Sequence, residues 1–336
     1  MHKIALTLPL IAALALPMGC FYGPELKPGP APDAPSQAEY VAALPDADRL
    51  RPNLPQGGLP AMADDNNTGL SDYYLLTHDV TDDINDFIIE VLDIVNDITA
   101  YDGEWVDDYT LAWGPIEYSP LDPCVTYLAV TWNQDGTYQW IFMEWPKNGA
   151  EEDGVVDAWG IVDPYSNYSD NGGAFWIDFD LMQQMDPTRE PSGQVYVEYE
   201  LEIGVGAAQA WFDDFAGDHG EDPVDAYYAF ANELSGAGEM LFGFVDDLNE
   251  SGVDEVMAIH SRWDDTGAGR ADSTVTAGEL GETQAHVSEC WGADFAMVYH
   301  EDDAGWSVPE GDETLCAYTP GEWPDLSDLD AEQTPE

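Results

Sequence analysis

The sequence predicts a mainly β domain of α+β type: a curved antiparallel meander sheet, or partial barrel, packed on one N-terminal amphipathic helix. Three observations predict it. Downstream of Tyr101 apolar residues recur with a period of two, in short runs separated by brief polar turns. Upstream of it, one stretch recurs at the helical period instead. The hydrophobic fraction is 44%, with 12 Trp, 17 Tyr and 11 Phe, enough to build a core despite the acidity of the chain.

The chain opens on a basic start, Met1–Lys3, and an apolar run, Ile4–Leu16, too short for a stable bilayer span. Leu16-Pro17-Met18-Gly19-Cys20 then resembles a lipobox, the site at which lipoprotein signal peptidase cuts before a cysteine that becomes fatty-acylated. Residues 1–19 are therefore expected to be a signal peptide, and Cys20 the lipidated residue. Phe21, not the Asp that retains lipoproteins at an inner membrane, follows it, which points to the outer membrane of the cell envelope. From about Phe21 to Leu59 the chain is rich in Pro, Ala and Gly, a composition that suits an extended, poorly packed tether.

Val80, Ile84, Phe87, Ile88, Val91, Val95 and Ile98 mark one face of a helix, opened by Asp79, Asp82 and Asp83 near its positive end. Strands are expected at Tyr127–Trp132 and Tyr138–Trp145, joined through Asn133-Gln134-Asp135-Gly136, then at Val155–Val162, Ala174–Phe179 and Val195–Ile203. Glu239–Val245, Glu255–Trp263, Ala271–Ala277, Gln284–Cys290 and Phe295–His300 continue the series. Turns this brief join antiparallel neighbours rather than parallel crossover units. Residues 60–318 are read as one domain, and 319–336, with Asp325, Asp328, Asp330 and Glu332, as a disordered acidic tail.

Charge limits the partners. Against 68 Asp and Glu stand 8 Lys and Arg, a formal net charge of −60. Such a surface has too few cations to neutralise phosphates, which effectively excludes nucleic acid, and no basic patch for an anionic lipid surface. Membrane contact is expected only through the Cys20 lipid. Self-repulsion of this size is screened in concentrated salt, where the Debye length falls to about 3 Å, so adaptation to a saline medium explains the acidity.

One segment resembles a calcium loop. Asp247, Asn249, Ser251 and Asp254 place oxygen side chains around Gly252 in Asp247–Glu255, as in short Asp-x-Asn-x-Asp-Gly hairpin loops, with Ser251 replacing the third carboxylate. A polar hairpin turn is the alternative, and calcium is the one cofactor the sequence suggests. Of the cysteines that follow Cys20, Cys290 and Cys316 are nearest in sequence and are expected to form a disulfide, leaving Cys124 free. A metal set of His286, Cys290, His300 and Cys316 is the rival and matches no zinc spacing. Arg262 and Arg270 are expected to pair with nearby Asp.

No nucleophile elbow occurs, and Ser261 beside His260 points to the opposite face of a strand. An acid-pair hydrolase needs two carboxylates facing one cleft, which a chain this acidic neither supports nor denies. Tyr138, Trp140, Trp145, Trp159, Phe175, Trp176, Tyr196 and Tyr199 could line a sugar- or lipid-binding groove, or serve as interior and cross-strand pairs.

Ser261-Arg262-Trp263, Gly267-Ala268-Gly269-Arg270-Ala271-Asp272, Ser288-Glu289-Cys290-Trp291, Glu310-Gly311-Asp312 and Cys316-Ala317, with Trp113-Gly114-Pro115 upstream, resemble an uncharacterised lipoprotein family of myxobacterial type. The resemblance covers most of Val80–Tyr318 and implies an exported lipoprotein with a cysteine pair; it implies no activity. The expected function is a lipid-anchored envelope protein of non-catalytic role. A periplasmic or surface binding module for a hydrophobic or glycan ligand is the first alternative, and the acid-pair hydrolase the second.

Overall fold

Fifteen strands form one antiparallel sheet in which each strand lies beside its neighbours in sequence. The computed structural model describes residues 29–55, 69–117, 119–164, 171–217, 223–246, 253 and 255–324. The sheet runs β1 (Glu104–Trp105), β2 (Thr110–Ile116), β3 (Cys124–Asn133), β4 (Thr137–Pro146), β5 (Val155–Pro164), β6 (Asn171–Asp178), β7 (Ser192–Glu202) and β8 (Val205–Ala216). It continues through β9 (Val224–Glu233), β10 (Gly238–Asp246), β11 (Glu255–Trp263), β12 (Gly269–Ala277), β13 (Gly281–Trp291), β14 (Met297–Asp302) and β15 (Glu310–Gly311). β1 pairs with β2 and β15 with β14, so the sheet is open.

The helical residues run as α3 (Asp72–Ile84), a π-helical turn (Asn85–Ile89) and α4 (Glu90–Ile98); the run starts eight residues before Val80, so Asp79, Asp82 and Asp83 lie within it and not, as expected, in its opening turn. Ser71 caps this start by accepting from the Tyr74 N–H at 3.0 Å. Ile84, Ile88, Ile89, Leu92, Val95 and Ile98 are buried in the same core as Leu128, Trp140, Phe175, Val197, Phe212 and Phe242 of the sheet. Near its start this helical run meets β11–β13 through polar pairs. Thr77 Oγ1 lies 2.6 Å from Ser261 Oγ, Tyr73 OH 2.5 Å from Ser273 Oγ, and Ser71 donates to Glu289. These groups are buried, and each hydroxyl finds its partner across the interface, as burial requires.

The tether expected over Phe21–Leu59 is corrected over its described part. α1 (Gln37–Ala42) and α2 (Ala47–Leu50) fold against the sheet, and Tyr40, Ala43, Leu44, Ala47, Leu50 and Leu54 are buried. Tyr40 packs edge-on to Trp105 and Tyr138, and its hydroxyl donates to the Tyr109 carbonyl at 2.7 Å. The Pro-rich composition concealed a short apolar pattern that is enough to dock. Facing α2 the sheet is trimmed: a β-carbon on Gly206 would collide with the Arg49 carbonyl oxygen.

β8 and β9 were not expected as strands. Their inward residues are small where the docked segment approaches (Gly206, Ala208 and Ala210), and alanine carries little strand signal. Phe179, expected to end a strand, opens α5 (Phe179–Met185) instead, because Asp178 accepts from the Leu181 N–H at 2.9 Å and caps a helix.

The expected tail is likewise corrected at its start. Arg262 Nη2 donates to the Thr319 carbonyl at 3.1 Å, the Gly321 N–H donates to Asp272 Oδ2 at 3.1 Å, and Trp323 stacks on His286. The remaining tail residues, with Asp325, Asp328, Asp330 and Glu332, lie outside the described residues. Cys290 and Cys316 are bridged, with Cα atoms 5.7 Å apart, and Cys124 is free and buried. The bridge closes a loop with a sequence separation of 26, which in the chain-entropy model stabilises by about 3.5 kcal/mol. Cys290→Ser with Cys316→Ser should lower the unfolding free energy by about that amount in urea titrations. A loss below ~1 kcal/mol would mean that the docked polar contacts hold the tail without it.

Beneath the bridge lies the most deeply buried charge cluster described. Arg270 is 1% exposed and Asp272 0%. Arg270 Nε donates to Asp272 Oδ1 at 2.9 Å, its Nη1 to Glu313 at 3.1 Å and its Nη2 to Ser288; Arg262 Nη2 reaches Asp272 Oδ2 at 2.9 Å. Both arginines therefore pair with a nearby Asp, as expected, and it is the same one, Asp272. Among the described residues every Lys and Arg is engaged. Arg49 donates to the Glu202 carbonyl, Arg51 to Asp93 and Lys147 to Glu117, while Arg189 donates to Glu144.

Candidate functional site

A cleft of about 1010 Å³ opens between the π-helical turn, α5 and the β8–β9 hairpin. Ile84, Phe87, Val91 and Ile94 supply its helical wall, Phe179 and Met182 its α5 wall, and Phe212, Phe215, Ala226 and Tyr228 its sheet wall. Asp83, Asp86, Glu90 and Glu190 also line it and are exposed, so carboxylates form its rim.

Two local irregularities build this site. In the helical run the Glu90 N–H bonds to the Asn85 carbonyl, five residues back, which widens one turn beside the cleft. In β8 the register slips between Phe212 and Phe215 against β9, and between Ser192 and Gln194 of β7. Asp214, at φ 51°, occupies this bulge. Residues three apart on a regular strand face opposite ways, yet the bulge turns both Phe212 and Phe215 into the cleft. Gly193 permits it: a β-carbon there would strike the Asp214 carbonyl.

Behind the wall, Arg189 links the cleft to a buried polar unit. Its Nη2 donates to Glu144 Oε1 at 2.8 Å, and Gln183 Nε2 holds its carbonyl at 3.1 Å. Glu144 is 2% exposed and Asp157 1%. Asp157 is the extra residue of a second bulge, where β4 and β5 slip register between Phe142 and Met143, and this turns its side chain inward beside Ala158. Both Asp157 oxygens and Glu144 Oε2 lack a hydrogen-bond partner among the described residues. Burial, with the Glu144 charge beside it, raises Asp157 well above the usual carboxylate range, so Asp157 holds a proton. Cys124 donates to the Met185 carbonyl at 3.3 Å, and burial with the neighbouring Glu144 charge pushes its thiol up to about 11. A thiol so protonated is a packing group rather than a nucleophile.

The candidate residues read from sequence scatter. Cys20 and the calcium-like Asp247, Asn249, Ser251 and Asp254 lie outside the described residues. The rival metal set is separated. Its cysteines are bridged, His286 pairs with Asp303 at 2.8 Å, and His300 sits between Glu289 at 3.0 Å and Ser307 at 2.9 Å. Ser261 is buried against Thr77, while His260 faces Glu239 at 3.2 Å on the other side. The acid pair that the structure brings together, Glu144 and Asp157, is buried and clamped by Arg189 rather than open to a cleft.

The aromatic residues divide between the two faces. Tyr138, Trp140, Phe175 and Tyr199 belong to the core. Trp159, Trp176 and Tyr196 stand on the opposite face in a cross-strand ladder with Trp211 and Tyr227, at centroid steps of 4.0, 4.4, 5.4 and 5.4 Å. Trp159 and Trp176 are nearly parallel, at 10°. Their facing surfaces cover one another, which stiffens the sheet and closes those faces to a sugar ring. Trp145 pairs with Tyr127 at 6.0 Å. Sequence reasoning placed Phe87 on the apolar face of the helix and missed Phe212, Phe215 and Tyr228. The available signal was the pair Phe212 and Phe215 flanking two acids in an otherwise alanine-rich stretch. Comparison with protein-family models, with curated proteins and with solved structures finds no match to this chain.

Proposed function

We propose that this protein is a lipid-anchored envelope lipoprotein whose folded domain is a non-catalytic binding module for an apolar ligand. The cleft carries the reading: about 1010 Å³, walled by aromatic and aliphatic side chains, is the size and character of a small-molecule site. The glycan alternative is disfavoured by the ladder, in which Trp159 and Trp176 cover the faces they turn toward each other. The hydrolase is disfavoured because its best acid pair is buried beneath Arg189.

The cleft follows from a sheet bent around its helix. Asp72–Ile98, at 1.5 Å per residue, is about 40 Å long. α4 touches β2 while Ser71 and α3 touch β13, and eleven interstrand steps of roughly 4.8 Å make about 53 Å of sheet. The longer path bows over the shorter one, and the cleft is where the bow stands away from the helix. Membrane attachment rests on the Leu16–Cys20 leader motif. Globomycin should accumulate a precursor, and Cys20→Ala should abolish acylation.

Ala226→Trp tests the module, since its indole would project from the sheet wall and occupy part of the cleft. A neutral fluorescent probe such as N-phenyl-1-naphthylamine should bind the wild type saturably, and at least about tenfold more weakly after substitution, for the loss of a few buried methylene equivalents. Equal binding at an unchanged melting temperature would overturn the reading.

A further inference from the structure

We propose that the ligand of this cleft is a hydrophobic ammonium cation, an apolar body whose positively charged nitrogen seats among aromatic faces at a carboxylate rim. The proposal rests on the reading of the cleft as a ligand site and names the chemistry that fills it.

The rings in the cleft are arranged unlike the ladder outside. Phe215 meets Phe87 at 5.0 Å and 69°, Phe179 at 5.6 Å and 64°, and Phe212 at 4.9 Å and 72°. Phe212 meets Tyr228 at 5.0 Å and 86°. In an edge-to-face contact the edge of one ring covers only part of its neighbour's face, whereas parallel stacked rings cover each other's faces more fully. The electron-rich face of an aromatic ring attracts a cation within about 6 Å, and most strongly where water is excluded. A box of crossed rings is how quaternary ammonium groups are recognised.

Charge points the same way. Asp83, Asp86 and Glu90 recur along one side of the helical run, and Glu190, in the segment between α5 and β7, also lines the cleft. Arg189, the cation in the lining, is matched by Glu144 at 2.8 Å. An anionic head would meet the rim carboxylates, and a neutral molecule would gain only the apolar walls. An ammonium gains walls, faces and rim together. In concentrated salt the long-range attraction is screened, while the face contacts and apolar burial, being short-ranged, persist.

The test compares decyltrimethylammonium, decanol and decanoate by calorimetric titration of the full-length protein in molar sodium chloride. The cation should bind about tenfold tighter than decanol, with decanoate weakest, a ratio within reach of a few ring-face contacts. Tyr228→Leu or Phe87→Leu should cut the cation's affinity several-fold and leave decanol nearly unchanged. Asp86→Asn, Glu90→Gln and Glu190→Gln together should do likewise, whereas Asp163→Asn, Asp265→Asn and Glu310→Gln, exposed and outside the cleft, should not. Decanol or decanoate binding as tightly as the cation would overturn the ligand class and leave the cleft standing as an apolar site. Equal losses from the two triple substitutions would also overturn it, by tracing the preference to the overall field. No binding of any probe would overturn the cleft itself.

Discussion

Arg270→Met should destabilise the domain by about 3–5 kcal/mol, enough to unfold a large fraction of molecules near physiological temperature. The guanidinium is 1% exposed and reaches Asp272, Ser288 and Glu313 at once. Removing it leaves the Asp272 carboxylate, 0% exposed, short of its principal counter-charge. The cost lies less in the lost pair than in the charge left behind, because a buried ion without a partner retains its full desolvation penalty. Arg262 Nη2 and the Gly321 N–H still reach Asp272, which places the expected loss toward the lower end. Arg270→Lys should fail to rescue, since an ammonium cannot fork to three acceptors.

The acid limb of the stability profile should share this origin. Burial alone would raise Asp272, but bonds from Ser288, Arg270 and Gly321 outweigh it and hold the group below its ordinary range. A carboxylate depressed in the folded state contributes stability that is present above its unfolded value of 3.8 and lost as pH falls through its folded value. Urea titrations at pH 7 and pH 3 measure both effects; a loss below ~1 kcal/mol for Arg270→Met at pH 7 would show the cluster to be dispensable.

What was legible in the sequence is what repeats with a fixed period. Strands such as Tyr138–Trp145 alternate large apolar residues with others, and the helix repeats Ile84, Ile88, Val91 and Val95 along one face. The disulfide was legible because only three cysteines follow Cys20 and two lie close together. β8 was not, because its inward positions shrink to Gly206, Ala208 and Ala210 to admit α2, and a neighbour's volume leaves no signature in the strand's own pattern. The docked segment 37–54 failed for the complementary reason, since Tyr40, Leu44, Leu50 and Leu54 are few and surrounded by Pro and Ala. The cleft was hidden at its β8 bulge, and the buried acid behind its wall at the β5 bulge. A bulge changes the face on which Phe215 and Asp157 appear, so an alternation rule applied across it assigns them wrongly.

Asp157→Asn should stabilise the protein at neutral and alkaline pH by a few kcal/mol, the effective penalty of a buried carboxylate, and have little effect near pH 4. Asp157 faces Glu144 with no N–H or hydroxyl to satisfy either of its oxygens, so its folded form holds a proton that its unfolded form gives up. A group raised in the folded state contributes stability that is fully present below its unfolded value of 3.8 and lost as pH rises toward its folded value. The wild-type protein should therefore lose stability across that rising window. Asparagine occupies the same volume and carries a permanent donor for Glu144 Oε2, which reproduces the protonated state at every pH. Arg189 stays paired with Glu144 in the variant, so the cleft wall should keep its shape and probe binding its affinity. Equilibrium unfolding of both proteins from pH 4 to pH 9 decides the matter. Curves that run parallel across the range would show that Asp157 holds no proton of its own, and that the two carboxyls are separated by water.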